Sequence, residues 1–115
     1  MLFNILIGEI YLTKQDFESS KVYLEKSIMI CKQFDLLYLL TKTYLQCAKL
    51  YQELALPKSS ERNNYIKQAL KMFQLAKNVP IVTEQPALQK SIKEDLNVLT
   101  SFCKLNGIIL KKESK

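Results

Sequence analysis

Residues 4–11 read NILIGEIY, and residues 44–51 read YLQCAKLY. Both stretches carry a small residue (Gly8, Ala48) followed by a tyrosine at the same spacing (Tyr11, Tyr51), and a second small–bulky–small pattern follows each. An internal repeat of this kind is typical of helix pairs that cannot bury their apolar faces alone and stack on neighbours. The sequence therefore predicts an interaction surface built from stacked helices rather than a catalytic pocket.

The composition favours long regular elements. The 115 residues include only two glycines and three prolines, and 48% of them are apolar. A β-sandwich or barrel needs a turn about every 10 residues, which this composition does not supply. We predict an all-α fold of about five helices in a single domain, residues 1–110, followed by a disordered tail at residues 111–115.

Apolar residues at intervals of three and four place the helices. The first is expected over residues 2–13, the second from an Asp16 cap to about Gln33, and the third from an Asp35 cap to a stop before Pro57. The first two helices make up repeat one, residues 1–34, and the third helix begins repeat two, residues 35–80.

Two further helices complete the prediction. A cap at Ser59 or Ser60 should begin the fourth, which ends near Asn78. Thr83 and Pro86 should open the last, a capping helix over residues 84–106 that ends at Asn106 and Gly107.

Charge gives little support for nucleic-acid binding. The net charge is +6, but Arg62 is the only arginine among seventeen cations. Arginine is the residue whose guanidinium makes bidentate hydrogen bonds to phosphates and bases. The lysines are scattered along the chain, which favours a solvated surface.

The cysteines and the apolar runs bear on location. Cys31, Cys47 and Cys103 are odd in number, lie in apolar helical patterns and have no histidine to join them in a metal site. They are typical of buried thiols in a reducing compartment.

No run approaches the ~20 apolar residues of a membrane span, and the start lacks the basic leader and cleavage site of a signal peptide. We expect a soluble, intracellular protein, cytoplasmic or nuclear, with no metal or other cofactor.

The residue types also argue against an enzyme. The chain has no histidine and no phosphate-binding glycine loop, and Glu94 and Asp95 are its only adjacent acidic pair. Consecutive helical residues point about 100° apart, so this pair does not converge on one substrate atom. Surface charge is the better interpretation of both side chains.

At the residues quoted above, the chain resembles the tetratricopeptide repeat family. Residues 1–34 match its 34-residue register without a gap, although Asn4 stands where the family has tryptophan and Gln15 where it has the turn glycine. The second copy is stretched around Pro57 to Asn63, as in the family's long-repeat variants. The resemblance covers about residues 1–80 and implies a right-handed α-α superhelix of antiparallel helix pairs.

In that family the first helix of each pair lines the inner groove. The resemblance therefore implies a partner-binding groove that takes a protein or peptide. Its expected residues are Ile5, Glu9, Leu12, Thr13, Lys42, Leu45, Lys49, Gln52 and Glu53. Glu9 stands where the family's clamp for carboxylate termini would hold a cation or amide, so such a clamp is disfavoured.

The first predicted helix is apolar nearly all round, and nothing in this sequence precedes it to cover that surface. We expect preceding repeats or a second copy to contact it, unless the last helix or the residues after it fold back over it. The function that these patterns favour is a protein–protein interaction scaffold, part of a larger multi-repeat protein or assembly. A peptide-sensing regulatory domain of a bacterial-type transcription regulator is the alternative. The residues expected to be exposed on the first helix are Leu2, Phe3, Leu6 and Ile10.

Overall fold

The computed structural model describes residues 16–108 and is all-helical there, with 82% of those residues in helices and no strand. This confirms the predicted class. Predictions that fall on residues 1–15 and 109–115, including the helix expected over residues 2–13 and the disordered tail, lie outside the described residues. The described elements are α1 (Phe17–Gln33), α2 (Leu37–Leu54), α3 (Arg62–Lys77), a 3-10 helix (Pro80–Glu84) and α4 (Pro86–Leu105).

Helix α1 begins where the sequence predicts. One Asp16 carboxylate oxygen accepts a hydrogen bond from the Ser19 backbone N–H at 3.3 Å, and the other accepts one from the Ser19 hydroxyl at 3.1 Å. An N-cap of this kind is worth about 1 kcal/mol. The buried side chains of α1 recur at intervals of four and three and form one inward face, which consists of Ser20, Leu24, Ser27 and Cys31.

The turn between α1 and α2 corrects one prediction. Asp35 does not cap α2: it adopts the left-handed conformation, with a φ of 55°, and ends α1. The Leu36 N–H donates to the Cys31 carbonyl at 2.9 Å, which closes the turn as a Schellman motif. Asp35 occupies the position usually held by glycine, because a short polar side chain tolerates this conformation better than most. Helix α2 then begins after Leu36 without a side-chain cap.

Helix α2 is the central element and packs against α1, α3, the 3-10 helix and α4. Its buried positions include two threonines, and both hydroxyls are hydrogen-bonded, as most buried polar groups are. The Thr41 hydroxyl donates to the Leu37 carbonyl at 2.9 Å, and the Thr43 hydroxyl donates to the Leu39 carbonyl at 2.7 Å.

Small residues lie where the helices meet. Ala48 on α2, Ala69 and Ala76 on α3, and Ser20 and Ser27 on α1 are all fully buried. Helix axes that approach to about 8–10 Å leave room for little more than a methyl or hydroxymethyl group. The large side chains of the core surround these contacts.

The loop between α2 and α3 is held by Arg62, and this also corrects a prediction. Helix α3 begins at Arg62, not at a Ser59 or Ser60 cap; the Ser59 hydroxyl instead accepts a hydrogen bond from the Glu61 N–H at 3.3 Å within the turn. The guanidinium donates to the Ala55 carbonyl at 2.9 Å and to the Leu56 carbonyl at 2.6 Å. It therefore supplies donors to two carbonyls that follow the end of α2.

The same guanidinium reaches α4. Its central carbon lies 5.3 Å from the centroid of the Phe102 ring, a cation–π distance. A third nitrogen lies 3.5 Å from the Asn106 side-chain oxygen. Arg62 thus joins the loop to the carboxyl end of α4, and we call this set of contacts the Arg62 clasp.

The chain between α3 and α4 forms a 3-10 helix that the sequence did not predict as a separate element. Thr83 lies inside it and donates to the Pro80 carbonyl at 3.1 Å, so it does not open the last helix. Pro86 is the first residue of α4, as its fixed φ favours.

Helix α4 ends at Asn106 and Gly107, as predicted. Gly107 has a φ of 68°, and the Ile108 N–H donates to the Cys103 carbonyl at 2.8 Å. Ile108 packs against the core, which is the apolar contact that usually accompanies this ending.

The prediction of buried thiols is confirmed. All three cysteines are buried and none is in a disulfide; they lie one each on α1, α2 and α4. Within residues 16–108, no helix is both long and apolar enough to cross a bilayer.

Candidate binding groove

A cavity of about 490 Å³ lies between α2 and α4, with one contribution from α3. We call it the α2–α4 groove. Its volume falls within the range of about 300–1,000 Å³ typical of ligand sites. The lining residues are Lys42, Leu45, Gln46, Lys49, Gln52 and Glu53 from α2, Phe73 from α3, and Ser91, Glu94, Asp95 and Val98 from α4.

The α2 wall contains all five groove residues that the sequence predicted on this helix. Lys42, Leu45, Lys49, Gln52 and Glu53 recur at intervals of three and four, apart from the adjacent last pair, and so share one face. The other predicted groove residues, Ile5, Glu9, Leu12 and Thr13, lie outside the described residues, as do Leu2, Phe3, Leu6 and Ile10 of the predicted apolar helix.

The α4 wall was not predicted. Ser91, Glu94, Asp95 and Val98 follow the i, i+3, i+4, i+7 spacing of one helical face, which was visible in the sequence. The sequence reasoning instead assigned Glu94 and Asp95 to plain surface charge. What it lacked was the packing of α4 across α2, a contact between elements about fifty residues apart in the chain.

The floor of the groove is apolar and well packed. Leu45 is 7% exposed and Phe73 is 3% exposed, so both are held rigidly by the core. Val98, by contrast, is 58% exposed and offers apolar surface on the α4 wall. A ligand in the groove would therefore meet a fixed floor and one free apolar side chain.

The two walls differ in charge. The α2 wall carries Lys42 and Lys49 together with Glu53, whereas the only charged groups on the α4 wall are Glu94 and Asp95. Although the Asp95 side chain is exposed, partial desolvation by the surrounding wall raises the pKa of its carboxyl. The positive charges of Lys49 and, more weakly, Lys42 lower the pKa of Asp95. The lysines of the α2 wall therefore interact electrostatically with a carboxylate of the α4 wall.

Two observations on the described residues concern metal binding and thiol reactivity. No group of three or more His, Cys, Asp or Glu side chains within residues 16–108 is placed to hold a metal ion. Burial raises the pKa of the Cys47 thiol to about 12 and raises the pKa values of Cys31 and Cys103 as well. A thiol of this kind is almost wholly protonated at neutral pH and is a poor nucleophile.

Comparison with known proteins adds no further assignment: no protein-family model, curated protein or solved structure matches the chain. The resemblance to the tetratricopeptide repeat family, and the superhelix it implies, stay predictions from the sequence.

Proposed function

We propose that this chain is a protein–protein interaction module, without enzymatic activity, that holds an extended or helical segment of a partner protein in the α2–α4 groove. The observation that carries the proposal is the groove itself, in which an apolar floor lies between walls with charged and amide side chains. Ligand-binding sites combine apolar contact area with a few polar groups that fix orientation. The predicted residues of α2 supply both kinds of group on one face.

The polar groups of the groove suit recognition better than bond-breaking chemistry. They are two ammonium groups, three carboxylates, two amides and one hydroxyl, with no imidazole to act as a base near neutral pH. Such groups form hydrogen bonds and ion pairs with a partner segment without activating a nucleophile.

A peptide-array selection tests the groove directly. Peptides that bind the intact chain would be titrated against Lys49→Ala and Glu53→Ala, with Lys67→Ala and Glu84→Ala as matched controls that lie outside the groove. We expect the groove variants to lose severalfold to tenfold in affinity, as is common for polar interface residues, while the controls bind normally. Equal binding by groove and control variants would show that the groove is not the recognition surface.

We further propose that the module functions within a larger multi-repeat protein or assembly. This rests on the apolar residues predicted in the first helix and on the small number of repeats in the sequence, because stacked repeats usually need three or more units for stability. Light scattering on the intact chain tests it. Self-association supports the proposal, and a stable, non-aggregating monomer refutes it.

A further inference from the structure

A second cavity of about 390 Å³ lies on another face of α4, where the end of α3 and the 3-10 helix meet it. It shares no lining residue with the α2–α4 groove. We call it the Lys77–Lys93 cavity. Its lining residues are Lys77, Val82, Thr83, Gln89, Ile92, Lys93 and Leu96.

The floor of this cavity is apolar. Val82 is 5% exposed and Ile92 is 3% exposed, so both belong to the packed core, and Leu96 beside them is half-buried. A cavity of this size, at the small end of the range for ligand sites, fits the apolar body of a small molecule.

The two uncharged polar side chains of the lining donate hydrogen bonds to backbone carbonyls of the 3-10 helix. The Gln89 amide donates to the Val82 carbonyl at 2.8 Å, and the Thr83 hydroxyl donates to the Pro80 carbonyl at 3.1 Å. These bonds tie the 3-10 helix to itself and to the first turn of α4. The cavity is therefore held in shape by its own polar groups.

The charge of the cavity has one sign. Lys77 and Lys93 line it, and no acidic side chain of residues 16–108 does. This contrasts with the α2–α4 groove, where both signs are present. Both lysines are exposed, so each can lay its alkyl stem along the apolar wall while the ammonium group remains at the opening.

An apolar floor beneath two cations is complementary to an anion with an apolar body. We propose that the Lys77–Lys93 cavity binds a small-molecule carboxylate whose ionised head lies at the two lysines and whose hydrocarbon body occupies the apolar floor. This site is independent of the proposed groove for a partner protein, because neither cavity shares a lining side chain with the other.

Decanoate is a suitable probe, with 1-decanol and decyltrimethylammonium as the same chain with a neutral and a cationic head. A ligand that binds only the folded state raises the melting temperature. Below its micellar concentration, decanoate should raise the melting temperature saturably and shift the amide resonances of residues 82–96. The neutral and cationic compounds should do so less. Equal or stronger effects of either compound, or a decanoate effect that does not saturate, would overturn the proposal.

Charge reversal gives the decisive comparison. Lys93→Glu should weaken decanoate binding by about tenfold or more and improve binding of decyltrimethylammonium. The substitution removes one favourable charge and adds one unfavourable charge, and each exposed charge near a ligand contributes up to about 1 kcal/mol. Lys90→Glu carries the same change in net charge on the same helix but does not line the cavity, and it should bind decanoate normally. Circular dichroism would establish that both variants fold. Equal weakening in the two variants would mean that only overall charge matters and would refute the site.

A short peptide with a free C-terminal leucine distinguishes a chain terminus from a small molecule, since both present a carboxylate on an apolar body. Decanoate should compete with this peptide and bind at least as tightly. Much tighter peptide binding, lost in Lys93→Glu, would assign the cavity to a protein terminus and overturn the proposal for a small-molecule carboxylate.

Discussion

Replacing the chain's only arginine should destabilise the fold through loss of the Arg62 clasp. The guanidinium donates to the Ala55 and Leu56 carbonyls at 2.9 and 2.6 Å and lies 5.3 Å from the centroid of the Phe102 ring. Hydrogen bonds from charged groups are worth about 1.5–3 kcal/mol when buried and less when water competes, and an exposed cation–π contact adds about 0.5–1 kcal/mol. The contact with Asn106 at 3.5 Å is too long to add much.

For Arg62→Ala we expect a loss of about 2–4 kcal/mol in the free energy of unfolding. Alanine is the better helix former, so helix propensity does not contribute to the loss. Arg62→Lys keeps the charge but not the planar fork, and it should lose about half as much. A loss of this size would lower the melting temperature of a domain of this length by roughly 10 °C for Arg62→Ala.

Urea unfolding followed by circular dichroism measures these differences. Lys58→Ala is the control, because it removes the same charge from an exposed position in the same loop and should change stability by less than about 0.5 kcal/mol. The clasp would be refuted if Arg62→Lys were as stable as the unsubstituted chain, or if Arg62→Ala and Lys58→Ala lost equal amounts.

Four further predictions follow from single features. Within the described part of the chain the buried Ser27 hydroxyl has no hydrogen-bond partner, so Ser27→Ala should raise stability by about 0.5–2 kcal/mol in urea unfolding, and a loss of stability would contradict this. Because Asp35 has a φ of 55°, Asp35→Gly should be neutral or stabilising and Asp35→Val destabilising by about 1 kcal/mol or more; equal stabilities would contradict the left-handed turn. Desolvation raises the pKa of Asp95 in the folded state, so its ionisation costs stability above that pKa, and the cost disappears as the pH falls below the ordinary value of 3.8. Asp95→Asn should therefore stabilise the protein at neutral pH and have little effect in acid, and a melting-temperature series across pH with the opposite trend would refute this. Since burial raises the pKa of Cys47 to about 12, the native thiol should resist a thiol reagent at mildly alkaline pH and react only on unfolding; rapid native labelling would contradict its burial.

The sequence predicted the helices better than their caps. Asp16, Pro86 and Gly107 mark ends that depend on local chemistry, and the structure confirms all three. Asp35 and Thr83 were misplaced because a short polar side chain suits both a helix start and the turn before it, and only the path of the chain decides between them.

The candidate groove was predictable from one side only. The α2 wall shares a single helical face, so residues such as Lys42 and Lys49 could be chosen from periodicity and resemblance. The α4 wall and the partner of Arg62 depend on how distant elements pack, and a spacing pattern within one helix carries no such information. The sequence reasoning therefore considered Arg62 only as a surface charge and did not predict that it connects the loop to α4.

The three buried thiols can be used to measure local unfolding of individual helices. Cys31, Cys47 and Cys103 lie on three different helices, and each is sealed from solvent by the packing of its helix on the others. Proteins open locally in cooperative units with different free energies, so a thiol becomes reactive when its own unit opens. The order in which the cysteines are alkylated under native conditions would therefore rank the detachment of α1, α2 and α4. If all three reacted at one rate, the helices would open as a single unit.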